Sequence, residues 1–542
     1  MLVMLMTIIV FLQALWFGFV WDDNLLILEN PLTGDLTNIP RFFSMDLWAA
    51  TPTDHDAPYY RPIVLVDFTL DRVFFGLSPF VHHLHSLLWH LAAVWLSGGL
   101  LGRLIADERA VAAGMALFAI HPVQVESVVF ISARNDPMAA AFMLGALLLL
   151  ARDDLTSKHL LGGGMCMLAA ALCKESVLLA PLLLAAVEWA RTGRPGSARA
   201  HLAVGTGILA YGGMRVLARV ELPPGADFDH LTAALLPVLA HYSERFLLPF
   251  DAIPGMHLAW PVPIPFGALG SGVVLCAGLV VFGRRKAAAG VVIAGLTLAP
   301  AIAAIAHSGA VPDRYLYFPL LGIGLALAAA LGERLWGLGM GLGLLLAGLS
   351  IRALPVWQDD LTLWSAAWER WPSAYTAGSL AKVLDDLGRL DEAAVMYERA
   401  TSPPRPLEES CYNITRIHFK RGDAASIKRA GEAARQAGCP DTPELLAPLA
   451  YAYFLLCEPA EARQIAERVG SDPTGMAVVV RVAEGLLRGD EAPLQQAIAA
   501  NPNSDPAGLI AQARRLVLDV SDCSTDEPLP PPGGSQTPES PR

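Results

Sequence analysis

Long apolar stretches recur along the chain from residue 1 to about residue 351 and then stop. A helix needs roughly 17 to 25 apolar residues to cross a hydrocarbon core about 30 Å thick, so the pattern predicts about eleven membrane helices. Their predicted positions are residues 1–20, 80–103, 110–121, 137–151, 159–173, 176–190, 200–217, 266–283, 288–306, 315–332 and 336–351. Several are short, which suits helices that end in re-entrant or cavity-lining backbone. The sequence therefore predicts an all-α fold, with a polytopic membrane bundle over residues 1–355.

From about residue 357 the pattern changes to pairs of amphipathic helices. Turn signals recur every 32 to 37 residues or so, close to the ~34-residue period of the tetratricopeptide repeat. They are GRLDEA at 388–393, RGDAA at 421–425, CEPAEA at 457–462 and RGDEA at 488–492, and the best repeat copy is residues 373–400. We therefore predict an α-solenoid of tetratricopeptide-like repeats over residues 356–520. Residues 521–542, rich in Pro, Ser and Gly, are predicted to be a disordered tail.

Basic residues indicate which loops face the cytoplasm. They are concentrated in short loops, which the positive-inside rule places inside: Arg103 and Arg109; Arg152 and Lys158; Arg191, Arg194 and Arg199; Arg284, Arg285 and Lys286. The loop at 21–79 carries nine acidic residues, three arginines and no lysine, so we place it on the outer side. An odd number of crossings places the repeats there too. The apolar segment 231–250 would change this count, so we interpret it as an interfacial or re-entrant helix with Glu244 and Arg245 on its polar face.

The composition agrees with a membrane protein. Of 542 residues, 54% are hydrophobic and 17% are charged, and the mean hydropathy is +0.45, outside the usual range of soluble globular proteins. The net charge of -12, without a basic stripe, excludes a nucleic-acid partner. Residues 1–20 lack a positively charged start and a cleavage site, so we expect an uncleaved anchor. None of the seven cysteines has metal-ligand spacing, but Cys411, Cys439, Cys457 and Cys523 can pair if their region is exported.

The stretch WDDNLLILENP, residues 21–31, carries the most informative polar residues. Asp22 and Asp23 follow directly on an apolar segment, and ionisable groups at a membrane edge are costly unless they serve a function. One of the two is a candidate catalytic base, because their mutual repulsion raises at least one proton affinity. The structural alternative is a solvated loop start or a helix cap. Adjacent carboxylates also attract Mg²⁺ or Mn²⁺, so a divalent cation is a further alternative, although no DxD motif or clustered third ligand accompanies the pair.

Polar residues gather at the outer ends of the other predicted helices as well. They are Arg61; His82, His83, His85 and His90; His121 and Glu126; Arg134 and Asp136; Lys174 and Glu175; and Asp313, Arg314 and Tyr315. The inner loops carry ordinary charges only. This one-sided distribution predicts a cavity that opens on the outer face.

The outer location limits the chemistry of such a cavity. Nucleotide donors are absent outside the cytoplasm, so group transfer there draws on a lipid-linked phosphate from the bilayer. The phosphate needs a cation, for which Arg314 and Lys174 are the first candidates and Arg61 and Arg134 the next. Asp22 or Asp23 would take the proton of the acceptor hydroxyl. If the transferred group is a sugar, attack by that hydroxyl on the side opposite the phosphate would invert the configuration at the anomeric carbon.

The same residues also have structural interpretations, as an anchor, a cap or members of ion pairs. These are an interfacial anchor for Arg61, ion pairs of Lys174 with Glu175 and of Arg134 with Glu126 or Asp136, and a helix cap for His121. The histidines at 82–90 lack the neighbours and the spacing of a zinc site. Both interpretations remain open at the level of sequence.

The motifs, taken in order, resemble those of a known family. WDDNLLILENP, the YRP of the first loop, FGLSPFVHHLHSLLWH, ALFAIHPVQVESVVFISARND, ALCKES and DRYLYFP, followed by repeats, are similar to the membrane O-mannosyltransferases that carry tetratricopeptide repeats and to their bacterial relatives. These are GT-C glycosyltransferases, which include the protein O-mannosyltransferases. The resemblance, over roughly residues 15–400, implies a transferase that uses a polyprenyl- or dolichyl-phosphate sugar. It implies that the acidic pair is the catalytic centre, with Asp22 as the first choice of base and Asp23 as the second.

The sequence thus predicts a GT-C glycosyltransferase that transfers a sugar such as mannose to a hydroxyl of protein Ser/Thr or of a glycan. The repeats would hold an acceptor polypeptide or a partner protein on the periplasmic side of a bacterial inner membrane. A non-catalytic, membrane-anchored scaffold is the main alternative, but it leaves the polar residues unexplained. A lipid-carrier flippase or transporter is another, but it predicts mid-span charges and inverted repeats, which are not visible.

Overall fold

The computed structural model describes residues 1–51, 59–221, 228–250, 266–308, 310–331, 336–402, 406–469, 475–500 and 505–519. Regular structure among these residues is entirely helical, so the predicted all-α class is confirmed. The chain forms two compact units, the first running from Met1 to Ala366 and the second beginning at Ala367. The predicted tail at 521–542 and Cys523 lie outside the described residues.

The first unit is built from helices that follow the apolar pattern of the sequence. They are α1 (Leu2–Phe11), α2 (Ile39–Phe42), α3 (Pro62–Phe75), α4 (Pro79–Leu104), α5 (Glu108–Ile120), α6 (Gln124–Val129), α7 (Asn135–Leu150), α8 (Ser157–Cys173), α9 (Ala180–Thr192), α10 (Ala198–Leu217), α11 (Phe228–Leu247), α12 (Phe266–Ser308), α13 (Tyr317–Leu331), α14 (Trp336–Ala353) and the start of α15 (Asp360–Arg370). Each predicted apolar segment coincides with a helix or with part of one. Short helical turns lie between the helices, among them Asn24–Leu28, Ile131–Arg134 and Asp313–Leu316, and the last two carry Arg134, Asp313 and Arg314.

Two of the described helices are long and apolar enough to cross a membrane, namely Pro79–Leu104 and Phe266–Ala306. A third span results if the bent pair Gly341–Trp357 and Asp360–Arg370 counts as one. Large apolar side chains such as Leu209 and Phe282 are exposed on helix surfaces, as expected where lipid is the solvent. The protein is therefore a membrane protein, while the total of about eleven spans stays a prediction.

Helix α12 contains a break where the sequence predicted a loop. A straight helix over Phe266–Ala306 would be roughly 60 Å long, about twice the thickness of a hydrocarbon core. Arg284 interrupts it with a left-handed backbone (φ 48°). The break lies between the two predicted spans, 266–283 and 288–306.

Glycines allow close helix packing in this unit. A Cβ atom on Gly322 of α13 would press against the backbone carbonyl of Gly290 on α12, and one on Gly324 would press against that of Gly114 on α5. Small residues at such crossings let helix backbones approach closely. These glycines therefore serve close packing of α12 and α5 against α13.

Helix α11 occupies the ambiguous segment 231–250. Glu244 is exposed, as expected for a polar face. Arg245 is instead buried, and its Nε donates to Oδ1 of Asp313 at 2.8 Å. The prediction that Arg245 lies on an exposed polar face is wrong, because an ion pair with a loop distant in sequence compensates the buried charge.

The second unit consists of helix pairs. Its helices are α16 (Ala374–Asp386), α17 (Leu390–Ala400), α18 (Glu408–Lys420), α19 (Ala424–Gln436), α20 (Pro443–Leu455), α21 (Pro459–Arg468), α22 (Met476–Arg488), α23 (Ala492–Ala500) and α24 (Pro506–Asp519). The first helix of each pair begins at Ala374, Glu408, Pro443 or Met476, so the period is close to the ~34 residues of a tetratricopeptide repeat. This period agrees with the predicted solenoid.

The turns within these pairs fall at the four predicted positions. Gly388, Gly422, Cys457 and Gly489 each have a positive φ, between 65° and 73°. A left-handed residue ends a helix by satisfying its last carbonyls, and glycine adopts this conformation without a steric cost. Three of the four turns therefore use glycine, and the third repeat uses a cysteine.

A disulfide joins Cys411 on α18 to Cys439, which follows α19. The two Cα atoms are 5.7 Å apart, and 28 residues separate the cysteines in sequence. The bond thus closes one helix pair on itself. The expectation that cysteines of this region can pair is met for these two residues.

Candidate active site

The two carboxylates at the start of the first loop have different surroundings. Asp23 is fully buried, and its Oδ1 accepts hydrogen bonds from the backbone N–H of Ser132 at 2.7 Å and from its Oγ at 2.6 Å. Oδ2 accepts from the backbone N–H of Val20 at 3.2 Å. The carboxylate of Asp22 is half-buried and forms no hydrogen bond to any part of the chain that the structure describes. Asp23 therefore ties the loop to Ser132, whereas Asp22 is left available.

Burial changes the acidity of both groups. Loss of water raises the pKa of Asp22 to about 6, although the positive charge of Arg314 acts in the opposite direction. Burial raises the pKa of Asp23 to about 7 against the effect of its hydrogen bonds. At neutral pH, Asp22 is therefore mainly ionised and basic enough to accept a proton, as a general base requires.

Arg314 lies beside this loop and is held by Glu126. Its Nη1 donates to Oε1 of Glu126, and its backbone N–H donates to Oε2 at 3.2 Å. Nε and Nη2 have no hydrogen-bond acceptor within the described ranges. The guanidinium carbon is 5.6 Å from the ring centroid of Trp21, immediately before Asp22. Arg314 thus presents unused donors close to Asp22.

Lys174 supplies a second cation near Tyr315. Its Nζ donates to Oδ1 of Asp136 and lies 5.6 Å from the ring centroid of Tyr315. Arg314 faces the same ring, with its guanidinium carbon 5.9 Å from the centroid. Burial lowers the pKa of Lys174, and the positive charges of Arg61 and Arg314 lower it further, against the effect of Asp136. Two cations therefore lie within 6 Å of the centroid of one tyrosine ring.

Arg61 forms a two-pronged ion pair with Glu175. Its Nε and Nη2 donate to Oε2 of Glu175 at 3.0 Å and 2.9 Å. The other oxygen of Glu175 accepts from the backbone N–H of Tyr60 at 3.1 Å. The pairs differ from the structural alternatives considered from sequence, since Glu175 binds Arg61 and Lys174 binds Asp136. These contacts connect residues 59–62 of the first loop (YYRP) to the turn at residues 173–176 (CKES).

Arg134 is fully buried, and each of its side-chain nitrogens donates a hydrogen bond. Its Nη1 donates to Oδ2 of both Asp67 and Asp71, at 2.5 Å and 2.6 Å. Nε donates to Oγ of Ser86 at 2.9 Å, and Nη2 donates to the carbonyl of His82 at 2.6 Å. Each of its three nitrogens thus donates to a residue of α3 or α4, so we assign Arg134 to a structural cluster with these two helices. Its partners are neither Glu126 nor Asp136, the two that the sequence offered.

The same cluster is the best metal-like arrangement among the described residues. Ligand atoms of Asp67, Asp71 and His85 lie within 4.8 Å of one another. Because Arg134 already bridges both carboxylates, a divalent cation there would face a guanidinium at contact distance. Sequence reasoning did not select Asp67 and Asp71, although two aspartates four residues apart on an apolar helix share one face and can be detected.

Two of the candidate histidines, His90 and His121, contact aromatic rings and backbone groups. His121 stacks on Phe246 with ring centroids 5.3 Å apart, and its Nδ1 accepts from the backbone N–H of Val123 at 3.3 Å, as a cap would. His90 contacts the hydroxyl of Tyr317 at 2.8 Å and the carbonyl of Ala119 at 2.9 Å. Neither histidine contacts the acidic pair.

The fold and the site define an all-helical membrane protein with a buried ionic cluster around one available carboxylate. Parts of the chain are similar to named proteins. Protein O-mannosyl-transferase Tmtc1 of Drosophila melanogaster is 32% identical over 181 residues, which are 32% of this chain and 21% of the relative. Tmtc2 of the same species is 33% identical over 187 residues, 33% of this chain and 20% of the relative. TMTC3 of Mus musculus is 30% identical over 140 residues, 25% and 15% respectively.

The matched segments thus span about a fifth or less of these relatives. No family model and no solved structure matches the chain. The predicted resemblance to the transmembrane O-mannosyltransferases that carry tetratricopeptide repeats is confirmed, over about a third of the chain.

Proposed function

We propose that this protein is a GT-C membrane glycosyltransferase that moves a sugar, with mannose as the first candidate, from a polyprenyl-phosphate carrier to a Ser or Thr hydroxyl of a protein. The observation that carries the proposal is Asp22, a half-buried carboxylate without a hydrogen bond in the described chain, next to Arg314 with unused donors. The names of the relatives, protein O-mannosyl-transferases, agree with this reaction.

The proposed step is a single inverting displacement. Asp22 takes the proton of the acceptor hydroxyl. At the same time the oxygen of that hydroxyl forms a bond to the anomeric carbon of the sugar. The bond from that carbon to the carrier phosphate breaks, and the phosphate leaves with the electron pair. Arg314 and Lys174 would bind the phosphate, because both lie beside Tyr315 and neither uses all of its donors on carboxylates. A divalent cation is not needed for this charge balance.

The remaining site residues shape the cavity. Asp23 fixes the loop to Ser132, and the Arg61–Glu175 pair fixes the loop to the turn that carries Lys174. Glu126 orients Arg314, and Asp136 orients Lys174. Replacing either carboxylate would therefore free the side chain of a phosphate-binding cation and leave the base, Asp22, in place. In this proposal Asp22, the first choice from the sequence, is the base and Asp23 is a structural residue.

We further propose that about eleven helices of the first unit cross the membrane and that both the site and the repeats lie on its outer side, in the periplasm of a bacterial cell. The acidic first loop and the Cys411–Cys439 disulfide support this side, because disulfides persist in oxidising compartments. The repeats would hold an acceptor polypeptide near the site.

Reporter fusions test the placement of the repeats. Alkaline phosphatase, which is active only outside the cytoplasm, is expected to be active when fused after Asp519 and inactive when fused after Asp154, in a basic loop. A cytoplasmic fluorescent protein should give the opposite pattern. Activity at Asp154 with none at Asp519 would overturn the proposed orientation.

A transfer assay with the full chain in detergent tests the reaction. We expect labelled mannose to pass from polyprenyl-phosphate mannose to a Ser/Thr-rich peptide. The rate should fall as the pH decreases through about 6, because Asp22, whose pKa is raised to about 6, must be ionised to act as a base. Exported glycoproteins of a deletion strain should lose the same sugar. Unchanged glycoproteins, together with an unaltered phenotype for Asp22→Asn, would favour the scaffold alternative.

A further inference from the structure

The backbone around the acidic pair is held by residues that follow α14, more than 330 positions later in the sequence. The backbone N–H of Trp21 donates to Oδ1 of Asp360 at 2.8 Å. Nδ2 of Asn24 donates to Oδ2 of Asp360, also at 2.8 Å. One carboxylate therefore binds the residue before Asp22 and the residue after Asp23.

Trp21 needs such support because its backbone is left-handed, with φ of 53°. This conformation is a genuine outlier for a bulky residue and persists only where the surroundings enforce it. Its indole ring stacks on Phe130 at 5.1 Å and meets the ring of Trp364 edge-on at 5.6 Å. The ring contacts and the hydrogen bond to Asp360 together fix both the backbone and the side chain of Trp21.

A backbone hydrogen bond supports the segment that precedes Trp21. The backbone N–H of Gly18 donates to the carbonyl of Gln358 at 2.9 Å. The supporting residues, Gln358, Asp360 and Trp364, all lie within the first compact unit. All three lie in the segment 358–364, which we call the brace.

We propose that Asp360 is a positioning residue for Asp22: by binding the backbone N–H of Trp21 and the amide of Asn24, it keeps the loop in the conformation that points Asp22 at the acceptor hydroxyl. The catalytic part of this inference rests on the proposed transferase function. Its structural part, that Asp360 orders residues 18–24, does not.

The inference rests on the two hydrogen bonds that Asp360 accepts, from the backbone N–H of Trp21 and from Nδ2 of Asn24. Asn at position 360 keeps an oxygen for the Trp21 N–H, and the side chain of Asn24 can rotate to complete the second bond. Alanine at position 360 loses both bonds.

Three variants of the full chain separate positioning from general destabilisation. Asp360→Ala removes the brace contacts, Asp360→Asn keeps most of them, and Asp359→Ala is the matched control. Asp359 is exposed, and its Oδ1 caps α15 by accepting from the N–H of Thr362 at 2.8 Å. A defect caused only by loss of a cap on α15 would therefore appear in Asp359→Ala as well.

Hydrogen–deuterium exchange of a peptide over residues 17–28 measures loop order independently of activity. We expect exchange at least about tenfold faster in Asp360→Ala, and within about twofold of wild type in Asp360→Asn and Asp359→Ala. In the transfer assay, kcat should fall at least about tenfold in Asp360→Ala with little change in KM for the donor, because a small misplacement of the base affects the chemical step. Asp360→Asn should restore most of kcat, because it keeps an oxygen for the Trp21 N–H.

Unchanged exchange over residues 17–28 in Asp360→Ala, or an equal change in Asp359→Ala, would overturn the inference. A wild-type kcat in an Asp360→Ala protein whose residues 17–28 exchange faster would also refute the positioning role. An active Asp22→Asn enzyme would instead refute the proposed base, and the exchange results would still decide whether Asp360 orders the loop.

Discussion

Replacing Asp22 by Asn is expected to lower the transfer rate by about 10²- to 10⁴-fold, the usual contribution of a general base. The amide has the shape of the carboxylate but cannot accept the proton of the acceptor hydroxyl. The carboxylate of Asp22 forms no hydrogen bond to the described residues, so the substitution should leave the melting temperature nearly unchanged. The measurement is the initial rate of mannose transfer at pH 7.5, per folded molecule.

Asp23→Asn is the matched control, one position away. An amide at position 23 can keep the bonds from Ser132 but turns its NH₂ group toward the N–H of Val20, so one buried acceptor is lost. The expected cost is about 1 to 3 kcal/mol of stability, with much of the activity retained by the folded fraction. Two results would contradict the assignment of the base. One is a wild-type rate of mannose transfer in Asp22→Asn, and the other is a large fall of that rate in Asp23→Asn without a loss of stability.

Replacing Arg134 by Met is expected to destabilise the protein by about 3 to 5 kcal/mol, because it leaves Asp67 and Asp71 buried without a compensating charge. The effect should appear as a large fall in the melting temperature in detergent and in the yield of folded protein. Arg61→Met should cost less, since Glu175 retains partial contact with water.

Two further substitutions can rescue the Arg134 variant. With Asp67→Asn and Asp71→Asn added to Arg134→Met, both buried carboxylates are removed and part of the lost stability should return. A stable Arg134→Met protein with weakened donor binding would show instead that Arg134 binds the phosphate, the role that the sequence offered for it.

Local pattern was sufficient for much of the fold. Apolar runs predicted the helices of the first unit, and the polar cluster at 284–286 predicted the position of the break in α12. The four turn signals predicted the turns at Gly388, Gly422, Cys457 and Gly489. These features depend on residues close in sequence, where hydrophobic periodicity and glycine conformation determine the outcome.

Pairing between distant segments could not be predicted in the same way. Asp22 and Asp23 are adjacent in sequence, and contacts with distant residues distinguish them, such as the hydrogen bonds from Ser132, 109 positions away, to Asp23. Sequence proximity likewise suggested partners near Arg134, whereas α3 supplies the actual carboxylates. An ion pair is selected by which helices pack together, and a single sequence contains little information about that packing.

The brace bears on how the protein can be shortened. The change in hydrophobic pattern places the end of the membrane part near residue 355, and a chain cut there would still contain Asp22, Arg314 and Lys174. It would lack Gln358, Asp360 and Trp364, on which the loop around Asp22 depends. Inactivity of that fragment would therefore say nothing about a need for the repeats, and a fragment meant to test this need must extend at least to Ala366.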